Sequence, residues 1–142
     1  MRVLGLDVGE ARIGLALSDG EGRMASPIGA LQRSAIEADV RQVLEDAARH
    51  RAERLVVGVP ISLSGERGPQ ERAVREFVKA LRAATALRVD TCDERLSTVE
   101  AEQRLHEAGA KPSRDRGRLD AASAAIILQA YLDRINRPRQ QS

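Results

Sequence analysis

The chain has 142 residues, enough for one ordinary domain core and too few for two. It is 42% hydrophobic and 31% charged at a formal net charge of +2, with Phe77 and Tyr131 as its aromatics, so the core must come from Leu, Val, Ile and Ala, and an aromatic base-stacking platform is disfavoured. Cys92 is the one cysteine, which excludes an intrachain disulfide and a cysteine metal cluster. With no apolar run long enough for a membrane span, a cytoplasmic protein is expected.

Val3 to Val8 and Ile13 to Leu17 read as two strands joined by a tight turn at Gly9-Glu10-Ala11-Arg12. Asp19-Gly20 and Gly22 supply a second turn, and a short third strand is expected over Arg23 to Ser26, ended by Pro27. From Ser34 to Arg49, Ile36, Val40, Val43, Leu44 and Ala47 recur at helical spacing, while Asp39, Arg41, Glu45, Asp46 and Arg49 fall largely on the other face. Leu55 to Val59 is β-branched and stopped by Pro60, the pattern of a strand buried on both faces.

A loop from Ile61 to Gly68 leads to Pro69, in the favoured first-turn position of a helix carrying Ala73, Phe77, Ala80 and Leu81. Leu87 to Cys92 predicts another buried strand, with Asp93-Glu94-Arg95 just past its end. Ser97 and Glu100 have capping-box spacing, so a helix is expected from there to about Ala108, with Gly109 as its C-cap. Lys111 to Arg118 reads as a polar loop, Leu119 to Ile135 as a buried final helix, and residues 138–142 as a tail. Hairpin strands followed by strand-helix alternation predict one RNase H-like α/β domain over residues 1–137, with a mixed five-stranded sheet flanked by helices.

Asp7 lies inside an apolar strand, where an unpaired carboxylate is costly to bury, so a cap, an Arg partner or a ligand must compensate it. Glu94 lies at the mouth of a parallel strand, where open α/β sheets bind ligands; a salt bridge to Arg95 or Arg12 is its simpler explanation. Asp120 begins an apolar helix and could serve only as its cap. Together the three carry more information, because the fold can bring two strand ends and a helix start into one crevice. Clustered carboxylates raise one another's pKa unless positive charge is present, and Mg²⁺ or Mn²⁺ would supply it. Two such ions roughly 3.5–4 Å apart would suit phosphodiester hydrolysis.

Charge distribution supports a nucleic-acid partner. Beyond Gly109, Lys111, Arg114, Arg116, Arg118, Arg134, Arg137 and Arg139 outnumber Asp115, Asp120 and Asp133. Lys111, Arg114, Arg116 and Arg118 would border the crevice and grip phosphates without reading bases, unless the segment is simply a solvated loop. Arg12 and Arg95 are candidates for phosphate contacts or for orienting the acids. Gly9 would let the chain turn near a phosphate, and Gly14 would relieve crowding on the second strand, although both are also ordinary glycine positions. Gly58, Gly65 and Gly68 lack the Lys-Ser or Lys-Thr of a P-loop. His50 and His106 read as helix-end residues and Cys92 as a small buried one.

Gly5-Leu6-Asp7-Val8-Gly9, Arg12-Ile13-Gly14 and Ser18-Asp19 open a pattern continued by Val57-Gly58-Val59-Pro60 with Gly65 and Gly68. Asp93-Glu94-Arg95-Leu96-Ser97-Thr98 and Asp120-Ala121-Ala122 with Ile127-Leu128 complete it. From about Val3 to Leu132 the chain resembles the YqgF, or RuvX, group of Holliday-junction resolvase-like nucleases, also described as pre-16S rRNA nucleases. The resemblance implies an RNase H-like fold, Asp7, Glu94 and Asp120 as acidic active-site positions, and a role in processing the 5′ end of precursor 16S rRNA during ribosome assembly. Resolvases commonly add an acid three positions before the last one, where this chain has Gly117.

Three other readings share parts of this pattern. A DNA resolvase or repair nuclease would use the same acids, and a stable dimer would favour it over the expected monomer or weak homodimer. A non-catalytic ribosome assembly factor would bind RNA without cutting it. A sugar-kinase-like ATPase begins with a similar hairpin but needs a second domain for which this chain has no room.

Overall fold

The computed structural model describes residues 1–61, 67–96, 103, 106, 107 and 116–137. Its strands are β1 (Val3–Val8), β2 (Arg12–Ser18), β3 (Ala25–Gln32), β4 (Arg54–Val59) and β5 (Arg88–Asp93). They form one sheet in the order β3-β2-β1-β4-β5. The first three strands pair antiparallel, whereas β4 joins β1, and β5 joins β4, in parallel. The described helices are α1 (Ile36–Arg49), α2 (Pro69–Ala84) and α3 (Arg116–Ile135), with a short 3-10 turn at Glu94–Leu96. This is an RNase H-like arrangement.

Strand alternation sorts the core into two layers. Leu4, Leu6, Val8, Ile13, Leu15, Leu55 and Val57 meet Val40, Val43, Val74, Phe77 and Leu81 from α1 and α2. Val3, Ala16, Val56 and Cys92 meet Ala124, Ile127, Leu128 and Tyr131 of α3 on the other face. Asp7, two residues on from Gly5, therefore belongs to the α3 side.

The sheet is shaved to receive that helix. A Cβ on Gly14 would stand 2.0 Å from the Asp120 carbonyl oxygen, and one on Gly58 would stand 2.6 Å from Ile127 Cδ1. Neither distance leaves room for a methyl group, so the glycines let α3 lie close against the strands.

Several boundaries differ from expectation. β3 runs through Pro27 to Gln32, because β3 is an edge strand and a missing N–H on its open side breaks no ladder bond. A register shift opposite Leu15 and Ala16 absorbs the irregularity, and Gly29 there has φ +151°. β5, also an edge, buries Val89 and Cys92 and leaves Arg88 and Thr91 exposed rather than being buried on both faces. α3 begins at Arg116, so Arg116, Gly117 and Arg118 form its first turn instead of a loop, and Asp120 sits inside the helix. Asp39 and Asp46, which the helical spacing assigns to the polar face of α1, are buried and paired with Arg33 and Arg49. The helix expected from Ser97 to Ala108, its Gly109 cap and the tail after Arg137 lie largely outside the described residues.

Candidate active site

The C-terminal ends of β1 and β5 and the first turns of α3 meet at one end of the sheet. β1 places Asp7 directly opposite Gly14 of β2. The backbone of Asp120 occupies the space above Gly14 that any side chain would fill. β5 ends at Asp93, and the turn that follows places Glu94 Cγ 3.2 Å from where a Gly58 Cβ would be. Gly14 and Gly58 thus make room for the two acids that flank Asp7. Pro60 follows β4 directly and ends it on the same side of the sheet.

Asp7 and Glu94 are half-buried and hydrogen-bonded carboxyl to carboxyl. Burial first, then the Asp7 charge, pushes Glu94 up to about 7. Burial also raises Asp7; its bond from Glu94 opposes this, and the Asp120 charge adds to the rise. Asp120 is held by Arg12, whose Nε donates to Oδ2 at 2.5 Å. A shared proton and the Arg12 guanidinium together offset two of the three negative charges.

The arginines divide differently from the sequence expectation. Arg12 pairs with Asp120, not Glu94, and Arg95 folds back on Asp93, with Nη2 2.7 Å from Oδ2. Both guanidinium groups remain partly exposed, at 28% and 48%. Arg116 and Arg118 contribute backbone to the first turn of α3, whereas their side chains, and all of Lys111 and Arg114, lie outside the described residues. Gly9 closes the β1–β2 turn, its N–H donating to the Arg12 carbonyl at 2.8 Å. His50 caps α1 and His106 is exposed, while Cys92 is buried with its thiol raised by burial.

The donor set is hard oxygen, the type preferred by Mg²⁺ and Mn²⁺. Among the described residues, no three acidic, histidine or cysteine side chains already converge on one ion position. Asp120 is engaged by Arg12 and the other two acids by each other. The fit to a cation therefore lies in donor chemistry and in a carboxyl pair made costly to ionise.

Two polar residues, one at this end and one at the opposite end of the sheet, make contacts that local patterning does not signal. Arg33, just past the end of β3, reaches the Gly9 carbonyl, and its uncharged neighbours Gln32 and Ser34 give no signal of that contact. Gln129 is fully buried in α3, accepts from the Ala25 N–H at 3.0 Å and donates to the Arg23 carbonyl at 2.9 Å. Its place in an apolar helix was the available clue, since a buried amide requires partners.

A mixed sheet with acids at strand ends and at a covering helix defines the RNase H-like class of α/β proteins. The structure of Thermus thermophilus RuvC with a Holliday junction superposes with a TM-score of 0.67 at 17% identity, covering 96% of each chain. The Fowlpox virus resolvase with its junction DNA gives 0.57 at 13% identity, over 96% of this chain and 100% of that one. A relative from Chloroflexus aggregans, described as "Putative pre-16S rRNA nuclease", is 43% identical over 136 residues, 96% of each chain. One of the same description from Anaeromyxobacter sp. (strain Fw109-5) is 44% identical over 133 residues, 94% of this chain and 97% of its own. Residues 1–134 match the RuvX family, described as Holliday junction resolvase, and the chain belongs to that family.

Proposed function

We propose that the chain is a divalent-metal-dependent nuclease that hydrolyses phosphodiester bonds at the 5′ end of precursor 16S rRNA. The observation that carries this reading is the Asp7–Glu94 carboxyl pair, strained toward neutrality by burial and mutual charge at the end of the sheet. Relatives above 40% identity that are described as pre-16S rRNA nucleases support the substrate.

Loss of the Glu94 proton leaves two adjacent carboxylates as oxygen donors, and Asp120 joins them when Arg12 releases it. Asp7, Glu94 and Asp120 would hold the cations. When bound, Mg²⁺ or Mn²⁺, as a pair, lowers the pKa of water and stabilises the departing oxygen. Arg12 and Arg95 would then hold phosphate oxygens, for which a guanidinium fork is suited. Lys111, Arg114, Arg116 and Arg118 would contact the flanking backbone. We place this activity in one domain over residues 1–137 acting in the cytoplasm, with a precursor ribosomal particle as partner. No helix of the described residues is long and apolar enough to cross a membrane.

The family description favours a second reading, cleavage of four-way DNA junctions by the same acids. Gly117 stands one turn before Asp120 on α3, where resolvases commonly add an acid, and this weighs toward RNA. Labelled precursor 16S rRNA ends, duplex DNA and four-way junctions should be cleaved side by side with Mg²⁺ or Mn²⁺, with Asp7→Asn as control. Metal-dependent RNA cleavage lost in the variant is the expected result. Junction-selective cutting transfers the assignment to resolution, and binding without cutting of any substrate transfers it to an assembly factor.

A further inference from the structure

The β1–β2 turn carries Arg12 at its end and follows Asp7 by two residues, so its placement bears on the acids. Three of its carbonyls are occupied: Arg12 by the Gly9 N–H at 2.8 Å, Ala11 by the Arg33 N–H at 2.9 Å, and Gly9 by Arg33 Nη1 at 2.8 Å. One residue therefore supplies two of the three bonds that hold the turn. Arg33 is itself fixed from three sides. Its Nε donates to Asp39 Oδ2 at 2.8 Å, and its guanidinium lies 5.5 Å from the centre of the Phe77 ring. Asp39 is only 4% exposed and is also bonded by the N–H and hydroxyl of Ser34. Phe77 belongs to the α1/α2 layer, whereas Asp7 belongs to the α3 layer. Arg33 thus grips the turn from the face of the sheet opposite the acids.

We propose that Arg33 is a positioning residue of the acidic site: by fixing the Gly9 and Ala11 carbonyls it sets the backbone of Arg12, and through Arg12 the orientation of Asp120. The importance of that orientation for cutting rests on the nuclease reading above; the hold on the Arg12–Asp120 pair does not. A planar fork can serve Asp39 and Gly9 at once, whereas a lysine ammonium on a flexible stem cannot reproduce both directions and the ring contact. Tyr131→Phe removes a stabilising hydroxyl that joins α3 to Arg54 and Asp90, at the other end of the sheet from this turn. Arg33→Lys and Tyr131→Phe therefore separate positioning from general stability.

The decisive readout needs no metal. In the ion-free protein, hydrogen exchange at the Gly9 amide and at Arg12 Nε is compared by NMR with thermal stability. Arg33→Lys is expected to speed both exchange sites about five- to tenfold, the scale of one lost hydrogen bond. Tyr131→Phe is expected to lower Tm while leaving both near wild type. Unchanged exchange in Arg33→Lys overturns the proposal, as does exchange that follows Tm equally in both variants. Calorimetric Mn²⁺ titration and RNA cleavage extend the test: Arg33→Lys should weaken Mn²⁺ binding severalfold and lower kcat with KM unchanged. If the wild-type protein neither binds Mn²⁺ nor cuts, the nuclease reading falls, and the exchange result still decides the role of Arg33.

Discussion

Arg12 Nε stands 2.5 Å from Asp120 Oδ2, joining the start of β2 to the second turn of α3 across 108 residues of sequence. The pair neutralises one acid of the trio at the place where the other two are already hydrogen-bonded. Arg12→Gln leaves Asp120 facing Asp7 without that compensation. The expected cost to the ion-free protein is about 1 kcal/mol, the scale for a partly exposed pair, and saturating Mn²⁺ should restore most of it. Thermal unfolding with and without Mn²⁺ measures this. An equal loss in both conditions would show that guanidinium and cation do not balance the same charges.

Glu94 gives the protein a pH dependence of unusual sign for a carboxylate. Its proton is held up to about 7 in the folded chain, against an ordinary value of 4.5. The unfolded chain releases that proton first, so ion-free stability should fall as pH rises from about 4.5 to about 7 and level off above. Asp7, also raised, acts in the same direction. Asp39 and Asp90 are lowered by their partners, so their contributions are present above the ordinary 3.8 and fade below it, outside this window. Urea unfolding at successive pH values should show the decline in wild type and a much flatter line in Glu94→Gln. A variant with the same slope as wild type would be fatal to this account.

Gly14→Ala tests how α3 is seated. The added methyl would stand 2.0 Å from the Asp120 carbonyl oxygen, and backbone on both sides leaves little freedom to yield. A loss of about 3 kcal/mol is expected, with cleavage reduced because Asp120 moves with its helix. Gly20→Ala is the control, since nothing lies within 4 Å of its added Cβ. Equilibrium denaturation should separate the two, and a Gly14→Ala protein as stable as the Gly20→Ala one would refute the close packing.

Tyr131→Phe should do the reverse, costing stability without touching the site. Its hydroxyl accepts from Arg54 Nη1 at 2.8 Å and donates to Asp90, tying α3 to the N-terminal halves of β4 and β5. Removing it leaves two part-buried charged groups short of a partner, at about 1–2 kcal/mol. Tm should fall while kcat and KM for RNA stay at wild-type values. A large loss of kcat in a folded variant would mean that this end of the helix influences the acids.

Local patterning accounts for what could be read in advance. Apolar alternation marked β1 and β2, the Val-rich run marked β4, and Pro69 marked the start of α2, because in each the chain's local preference agrees with its place in the fold. The proximity of Asp7 and Glu94 followed from strand ends in a parallel sheet. What stayed hidden depends on partners distant in sequence. Pro27 reads as a strand terminator unless β3 is known to be an edge, and Asp39 reads as solvated unless Arg33 is known to cover it. The Arg12–Asp120 pair needed the docking of α3, and the Arg33 contact with Gly9 needed the end of β3 beside the first turn.

The dependence of the site on α3 also orders events during synthesis. Asp7 and Glu94 leave the ribosome well before Asp120, and the pocket above Gly14 and Gly58 stays open to water until the last helix follows. Chains emerge from the N-terminus, and early segments begin to organise first. A growing chain therefore holds an incomplete set of acids for most of its translation. Whatever chemistry the finished protein performs, it acquires only once α3 is free to dock, a built-in delay for a protein made on a particle composed largely of RNA.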